Sequence, residues 1–146
     1  MLHWLAVFAY VFLMFLSAGR EESSARFTRH FLQKFWPGLS PAGLRLWVFW
    51  IRKAGHVLAY AFLTLITYFA ARKTRMPESR ALPFALIFAL AVAVLDEEYQ
   101  RRLPYRSGTW SDVLIDGIGI GIVGLGIYLE VRKKKRFEVS EDVENE

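Results

Sequence analysis

Lys53, His56 and Tyr60 stand at i, i+3 and i+7, a spacing that puts an ammonium, an imidazole and a phenol on one helix face. Asp96 and Gln100 are four residues apart with Glu97 beside the first, and Asp112 and Asp116 repeat the four-residue spacing. Two chemistries suit such a set. In one, Lys53 and Arg106 hold phosphate or carboxylate oxygens, Gln100 and Tyr60 add neutral hydrogen bonds, and the carboxylates fix the cations. In the other, the cluster is a catalytic centre in which His56 or Glu97, with Asp112 as a further candidate, serves as general base and Arg106 stabilises an anionic transition state. Asp and Glu beside a His can also hold a divalent metal, although the sequence requires neither a metal nor another cofactor. No HExxH helix, GxSxG elbow or glycine-rich phosphate loop is present. The chain has no cysteine, which excludes disulfides, Cys-ligated zinc, iron–sulfur clusters and thiol nucleophiles together.

These residues lie in or beside long apolar runs. Of 146 residues, 54% are hydrophobic and 16% aromatic, while the 23% that are charged are bunched between uncharged stretches. That pattern excludes a disordered chain and argues against an ordinary water-soluble globule. Four spans follow, at about 1–18, 46–71, 81–100 and 112–131. The first holds no formally charged side chain. Ser17 and Gly19 would suit signal-peptide cleavage, but no Lys or Arg precedes the run, and a retained helix is the preferred reading. The third is apolar only from Ala81 to Leu95, roughly 22 Å of helix, so it crosses ~30 Å of hydrocarbon only by continuing into Asp96, Glu97 and Gln100. Pro83 then falls in its first turn, where proline is tolerated. The fourth carries glycines at 117, 119, 121, 124 and 126, with Gly117 and Gly121 as a GxxxG pair that permits close helix approach. No span alternates like a strand, and helices satisfy the backbone in lipid, so the fold class is all-α: an integral membrane four-helix bundle.

Between spans one and two, Glu21 and Glu22 precede Phe27, Phe31, Leu32 and Phe35 at helical spacing, with Arg26, Arg29, His30 and Lys34 interleaved. The pattern predicts an interfacial amphipathic helix, ended by Trp36, Pro37 and Gly38, with Trp47 and Trp50 at headgroup level. Arg72, Lys73, Arg75 and Arg80 in the next loop, and the run Arg132–Arg136 after the last span, place both regions on the cytoplasmic side of the cell membrane. The net charge of +5 is therefore an orientation signal rather than a nucleic-acid footprint. Both termini are expected to be cytoplasmic, with residues 1–136 as the transmembrane domain and 137–146 as a disordered acidic tail.

With this topology the polar ends of spans two, three and four converge on the outer leaflet. A charge at a helix centre costs ~2.5–3.5 kcal/mol, so Lys53, Arg101, Arg102 and Arg106 are expected to pair with Asp96, Glu97, Asp112 and Asp116 in a partly buried cluster opening outward. For Glu98, Arg101 and Arg102, simple helix termination in headgroup water is sufficient. A third class of function, a structural or partner-binding subunit, would use the glycine-rich fourth span as a homo-oligomer face. A channel is disfavoured, because a cluster at one end provides no charged path across the bilayer.

The series Lys53-x-x-His56-x-x-x-Tyr60, Asp96-Glu97-x-x-Gln100-x-x-x-Pro104-x-Arg106 and Asp112-Val113-x-x-Asp116-x-x-Gly119 resembles, in this order, the VanZ-like family of small membrane proteins. The resemblance covers Lys53 to Gly119. It departs at Asp116, where Asn is often expected, and at Val123, where a further glycine is expected. It implies the membrane fold, an association with teicoplanin resistance, and a site made of Lys53, His56, Tyr60, Asp96, Glu97, Gln100, Arg106, Asp112 and Asp116. A cell-envelope lipid, such as a polyprenyl phosphate or a peptidoglycan precursor, suits both the outward-facing site and that association.

Overall fold

The computed structural model describes residues 1–20, 24–104, 106 and 108–144, with side chains described as far as Arg136; Glu21 and Glu22 lie outside the described residues. Among the described residues there are five helices and no strand: α1 (Leu2–Ala18), α2 (Ala25–Phe35), α3 (Pro41–Lys73), α4 (Glu78–Arg101) and α5 (Trp110–Glu144). Local chemistry marks several of their ends. Ser24 caps α2 by accepting from the Phe27 amide at 3.3 Å, and Ser40 caps α3 by accepting from the Gly43 amide at 3.1 Å, with Pro41 at the first helical position. At the other end of α3, Arg75 adopts a left-handed φ of 65°, and the Met76 amide reaches back to the Ala71 carbonyl at 3.1 Å. This is a Schellman-type stop made without glycine.

Three helices are long and apolar enough to cross a membrane: Pro41–Lys73, Glu78–Arg101 and the Trp110–Arg136 part of α5. Their outward faces carry large apolar side chains, among them Leu58, Phe62 and Phe69 on α3, Ile87 and Leu95 on α4, and Leu114, Ile118, Ile122 and Leu125 on α5. Water would oppose so large an apolar surface; hydrocarbon solvates it. The chain is a multi-pass membrane protein. Helix α1 is equally apolar but has 17 residues, about 25 Å, and buries only Val7 and Ala18.

Among the described residues, helix α3 touches every other helix, whereas α2 packs on α3 alone. Contacts fix the directions. Lys53 meets Asp112 and His56 meets Asp116, so α3 and α5 run the same way. Tyr60 meets Asp96, and Tyr68 and Ala71 pack with Ala81 and Ala85, so α4 runs against α3. Trp4 reaches Thr74 at 3.4 Å and Tyr10 reaches the Ala59 carbonyl at 3.2 Å, so α1 also runs against α3. The inner face of α4 is a four-residue stripe of buried Ala81, Ala85, Ala89 and Ala93 that continues as buried Asp96, Glu97 and Gln100. Small residues thus bring the helices together along most of the length, and the same face turns polar at one end.

Several boundaries differ from the sequence expectation. Helix α3 starts at Pro41 rather than near 46, because Ser40 and Pro41 supply a start signal ahead of the apolar run. Helix α4 starts at Glu78, which moves Pro83 out of the first turn and into the helix interior, where it removes one backbone hydrogen bond. As the length argument required, the same helix continues through Asp96, Glu97 and Gln100. Helix α5 runs on to Glu144 instead of stopping near 131 ahead of a disordered tail; Lys, Arg and Glu are strong helix formers and no Gly or Pro interrupts them.

The glycines also redistribute. The GxxxG pair Gly117 and Gly121 faces open space, with nothing within 4 Å of a Cβ added at either. The close approach is instead at Gly119, where a Cβ would collide with the Val57 carbonyl oxygen, and at Gly124, where it would lie 2.7 Å from Leu86 Cδ2. Gly119→Ala is expected to destabilise the protein by about 1–3 kcal/mol through overpacking, and Gly121→Ala by less than about 0.5 kcal/mol. Thermal unfolding of the two variants in a mild detergent checks the difference; equal melting temperatures would refute the packing assignment.

Candidate functional site

The residues singled out by spacing meet at one end of the molecule, where α3 begins its apolar run, α4 ends and α5 starts. Asp96, Glu97 and Asp116 are buried, with relative exposures of 4%, 1% and 0%, and Gln100 and Tyr60 are buried with them. Tyr60 Oη donates to Asp96 Oδ2 at 3.0 Å, and Gln100 Nε2 donates to the same oxygen at 2.9 Å. His56 Nδ1 lies 3.0 Å from Asp116 Oδ1 and 3.9 Å from Glu97 Oε1. The imidazole also lies near the Tyr60 ring, with centroids 6.5 Å apart. One carboxylate each from α4 and α5 therefore faces the imidazole from α3, while the second α4 carboxylate is held by Tyr60 and Gln100.

The cation pairing is more selective than the sequence suggested. Lys53 forms an ion pair with Asp112, both partly exposed. Arg101 and Arg102 do not enter the cluster: they pair with Glu98 at 3.4 and 3.1 Å at the exposed end of α4, and Arg101 also lies over the Trp110 ring at 5.0 Å. Their sequence positions advance them by about 100° each around the helix, away from the face that carries Asp96 and Gln100. Thr109, just before α5, donates its amide to Glu97 Oε2 at 2.9 Å. Gly108 lies so close to the end of α4 that a Cβ there would collide with the Glu97 carbonyl oxygen. Neither residue was singled out from sequence, although a Gly-Thr step before an apolar helix is a start signal that could have been read.

Beside the cluster is a cleft of about 400 Å³ between α1, α3 and the end of α4. Its polar wall is made by Arg52, His56, Tyr60, Asp96, Gln100 and Arg106, and its apolar wall by α1 through Leu13, Met14 and Ala18. Lys53, Glu97, Asp112 and Asp116 do not line it. The cation that α3 brings to the cleft is Arg52, one position before Lys53, because Lys53 is turned toward α5 by Asp112. Helix α1 also brings Tyr10 and Ser17 to the cleft, but no charged residue that could have marked it in the sequence.

The Lys53–Asp112 pair ties α3 to α5 at the mouth of the cluster. Lys53→Met and Asp112→Asn are each expected to lower stability, and the double variant to lose less than their sum, with a coupling of about 0.5–3 kcal/mol. A double-mutant cycle from unfolding in detergent measures it, and strict additivity would show that the pair does not hold the helices.

No curated protein and no solved structure matches the chain. A family model described as VanZ/LLP1 matches residues 1–132, a range that takes in α1 and the whole polar cluster as well as the motif-bearing helices, and the chain belongs to that family.

Proposed function

We propose that the cleft binds the anionic headgroup of a cell-envelope lipid, a polyprenyl phosphate or a peptidoglycan precursor, on the outer face of the cytoplasmic membrane. The observation that carries this reading is the two-sided lining: guanidinium groups of Arg52 and Arg106 with Gln100 and Tyr60 on one wall, and the apolar α1 side chains Leu13 and Met14 on the other. Arginine forks suit phosphate oxygens, and an apolar wall continuous with the membrane-facing surface suits an acyl or prenyl chain. A soluble anion would gain nothing from the second wall. The association of the VanZ-like family with teicoplanin, which acts on the cell envelope, favours an envelope lipid over a bulk phospholipid.

In this reading α1 crosses the membrane beside α3 and α4, making a four-helix bundle, and α2 lies in the interface. Its exposed Phe27, Phe31 and Phe35 recur every fourth residue and would enter the headgroup region, while Leu32 holds it to Leu44 and Val48 of α3. The basic residues Arg72, Lys73, Arg75 and Arg80 lie at the opposite end from the cleft, which supports a reading with the cleft outside and both chain ends inside.

Mass spectrometry of lipids retained by protein purified in mild detergent tests the binding reading. Wild type and Arg102→Ala are expected to retain an envelope lipid, and Arg52→Ala and Arg106→Ala to retain about tenfold less or lower, the loss of one charge-assisted contact. Equal retention in all four, or no selective lipid in wild type, would overturn it. Orientation is checked separately, because the chain has no cysteine of its own. A cysteine placed by Gly38→Cys is expected to react with a membrane-impermeant maleimide in intact cells, and one placed by Arg75→Cys only after permeabilisation.

A further inference from the structure

Deeper than the cleft wall, three helices bring together a donor set that headgroup binding does not use. A ring nitrogen of His56 from α3, a carboxylate oxygen of Glu97 from α4 and one of Asp116 from α5 lie within 4.8 Å of one another. Two of the carboxylate oxygens, Glu97 Oε1 and Asp116 Oδ2, have no hydrogen-bond partner although their side chains are 1% and 0% exposed. Buried anionic oxygens are costly unless a cation or a donor answers them, and Lys53 is occupied by Asp112.

We propose that His56, Glu97 and Asp116 form a binding site for a divalent metal ion of the zinc or manganese class. One imidazole nitrogen with two carboxylates is a donor set for a borderline cation rather than for calcium, which takes oxygen ligands. The set is somewhat wider than a coordination shell: donors about 2.1 Å from a metal stand roughly 3.0–3.4 Å apart, against 3.0 Å from His56 Nδ1 to Asp116 Oδ1, 3.9 Å from His56 Nδ1 to Glu97 Oε1 and up to 4.8 Å across the whole set. Small side-chain movements close the set around an ion. The surroundings hold the ligands in place, since the Thr109 amide occupies the other oxygen of Glu97 and the Gly119 contact seats α5 one turn beyond Asp116. Asp96 stands beside the set with Oδ1 unpartnered and is a further oxygen within the same cluster. Three protein ligands leave positions open, and His56 borders the cleft, so an ion here could meet a phosphate oxygen or water there. The site stands or falls independently of the lipid reading, because its donors other than His56 do not line the cleft.

The test uses full-length protein in mild detergent, stripped with a chelator and titrated with Zn²⁺ alone. Wild type is expected to take up about one ion per chain, and His56→Ala and Glu97→Gln to bind about 100-fold more weakly or worse, as read by elemental analysis after dialysis. A second measurement does not depend on whether those variants fold. The other two histidines, His3 and His30, are exposed, so a protein with His3→Gln and His30→Gln leaves His56 as the sole imidazole. Its ¹⁵N-histidine spectrum is expected to show the Nδ1 resonance of His56 shift to a metal-bound position with one equivalent of Zn²⁺. No uptake by wild type, uptake undiminished in both ligand variants, or an unmoved His56 resonance would overturn the proposal and leave a shared proton to answer the buried carboxylates.

Discussion

Helix α5 lies against α3 backbone to backbone where Gly119 meets the Val57 carbonyl, and the polar cluster depends on that approach. Asp116 is one turn before Gly119 and His56 is the residue before Val57, so the distance that Gly119 permits is what puts His56 Nδ1 3.0 Å from Asp116 Oδ1. A methyl group at position 119 would move the two backbones apart by more than a hydrogen bond can stretch. In a bilayer there is little hydrophobic force to press helices together, and close van der Waals packing at small residues has to supply the cohesion. The alanine stripe of α4 does for the α3–α4 contact what Gly119 does for α3–α5.

That tight packing has an electrostatic consequence. Asp96, Glu97 and Asp116 are buried at the junction of three helices. Asp96 is answered by Tyr60 of α3 and by Gln100 one turn on, Glu97 by the Thr109 amide from the segment before α5, and Asp116 by His56 of α3. The acidic groups thus become a reason for the helices to associate as well as a site, since separating any two of them would strand a carboxylate in hydrocarbon. The Lys53–Asp112 pair closes this arrangement at its partly exposed side, while Arg101 and Arg102 serve Glu98 outside it.

The division of labour between the walls of the cleft follows from the same geometry. Residues of α3 and α4 at helical spacing, with Arg106 from the segment after α4, provide the polar wall, and α1 lays an uncharged face across the opening. Tyr10 anchors α1 through its hydroxyl to the Ala59 carbonyl, one residue before Tyr60. The apolar helix therefore sits over the cluster at a fixed height, with Trp4 reaching Thr74 at the far end.

Apolar runs and helical spacing determined from sequence alone that the chain is a multi-pass helical membrane protein and that His56, Tyr60, Asp96, Glu97, Gln100 and Asp116 belong together. Those signals are legible because hydrocarbon tolerates few polar groups, so each one inside a span has to be explained. Partner choice was not legible. That Lys53 faces Asp112 while Arg52 faces the cleft, and that Arg101 and Arg102 turn to Glu98, depends on the rotation of each helix about its own axis, which a one-residue step changes by about 100°. The same holds for the glycines, where the recognisable pair Gly117 and Gly121 faces outward and Gly119 makes the contact. Tertiary packing alone decided which oxygens were left unanswered at the centre of the cluster, because that depends on distances between three helices that no spacing along one of them encodes.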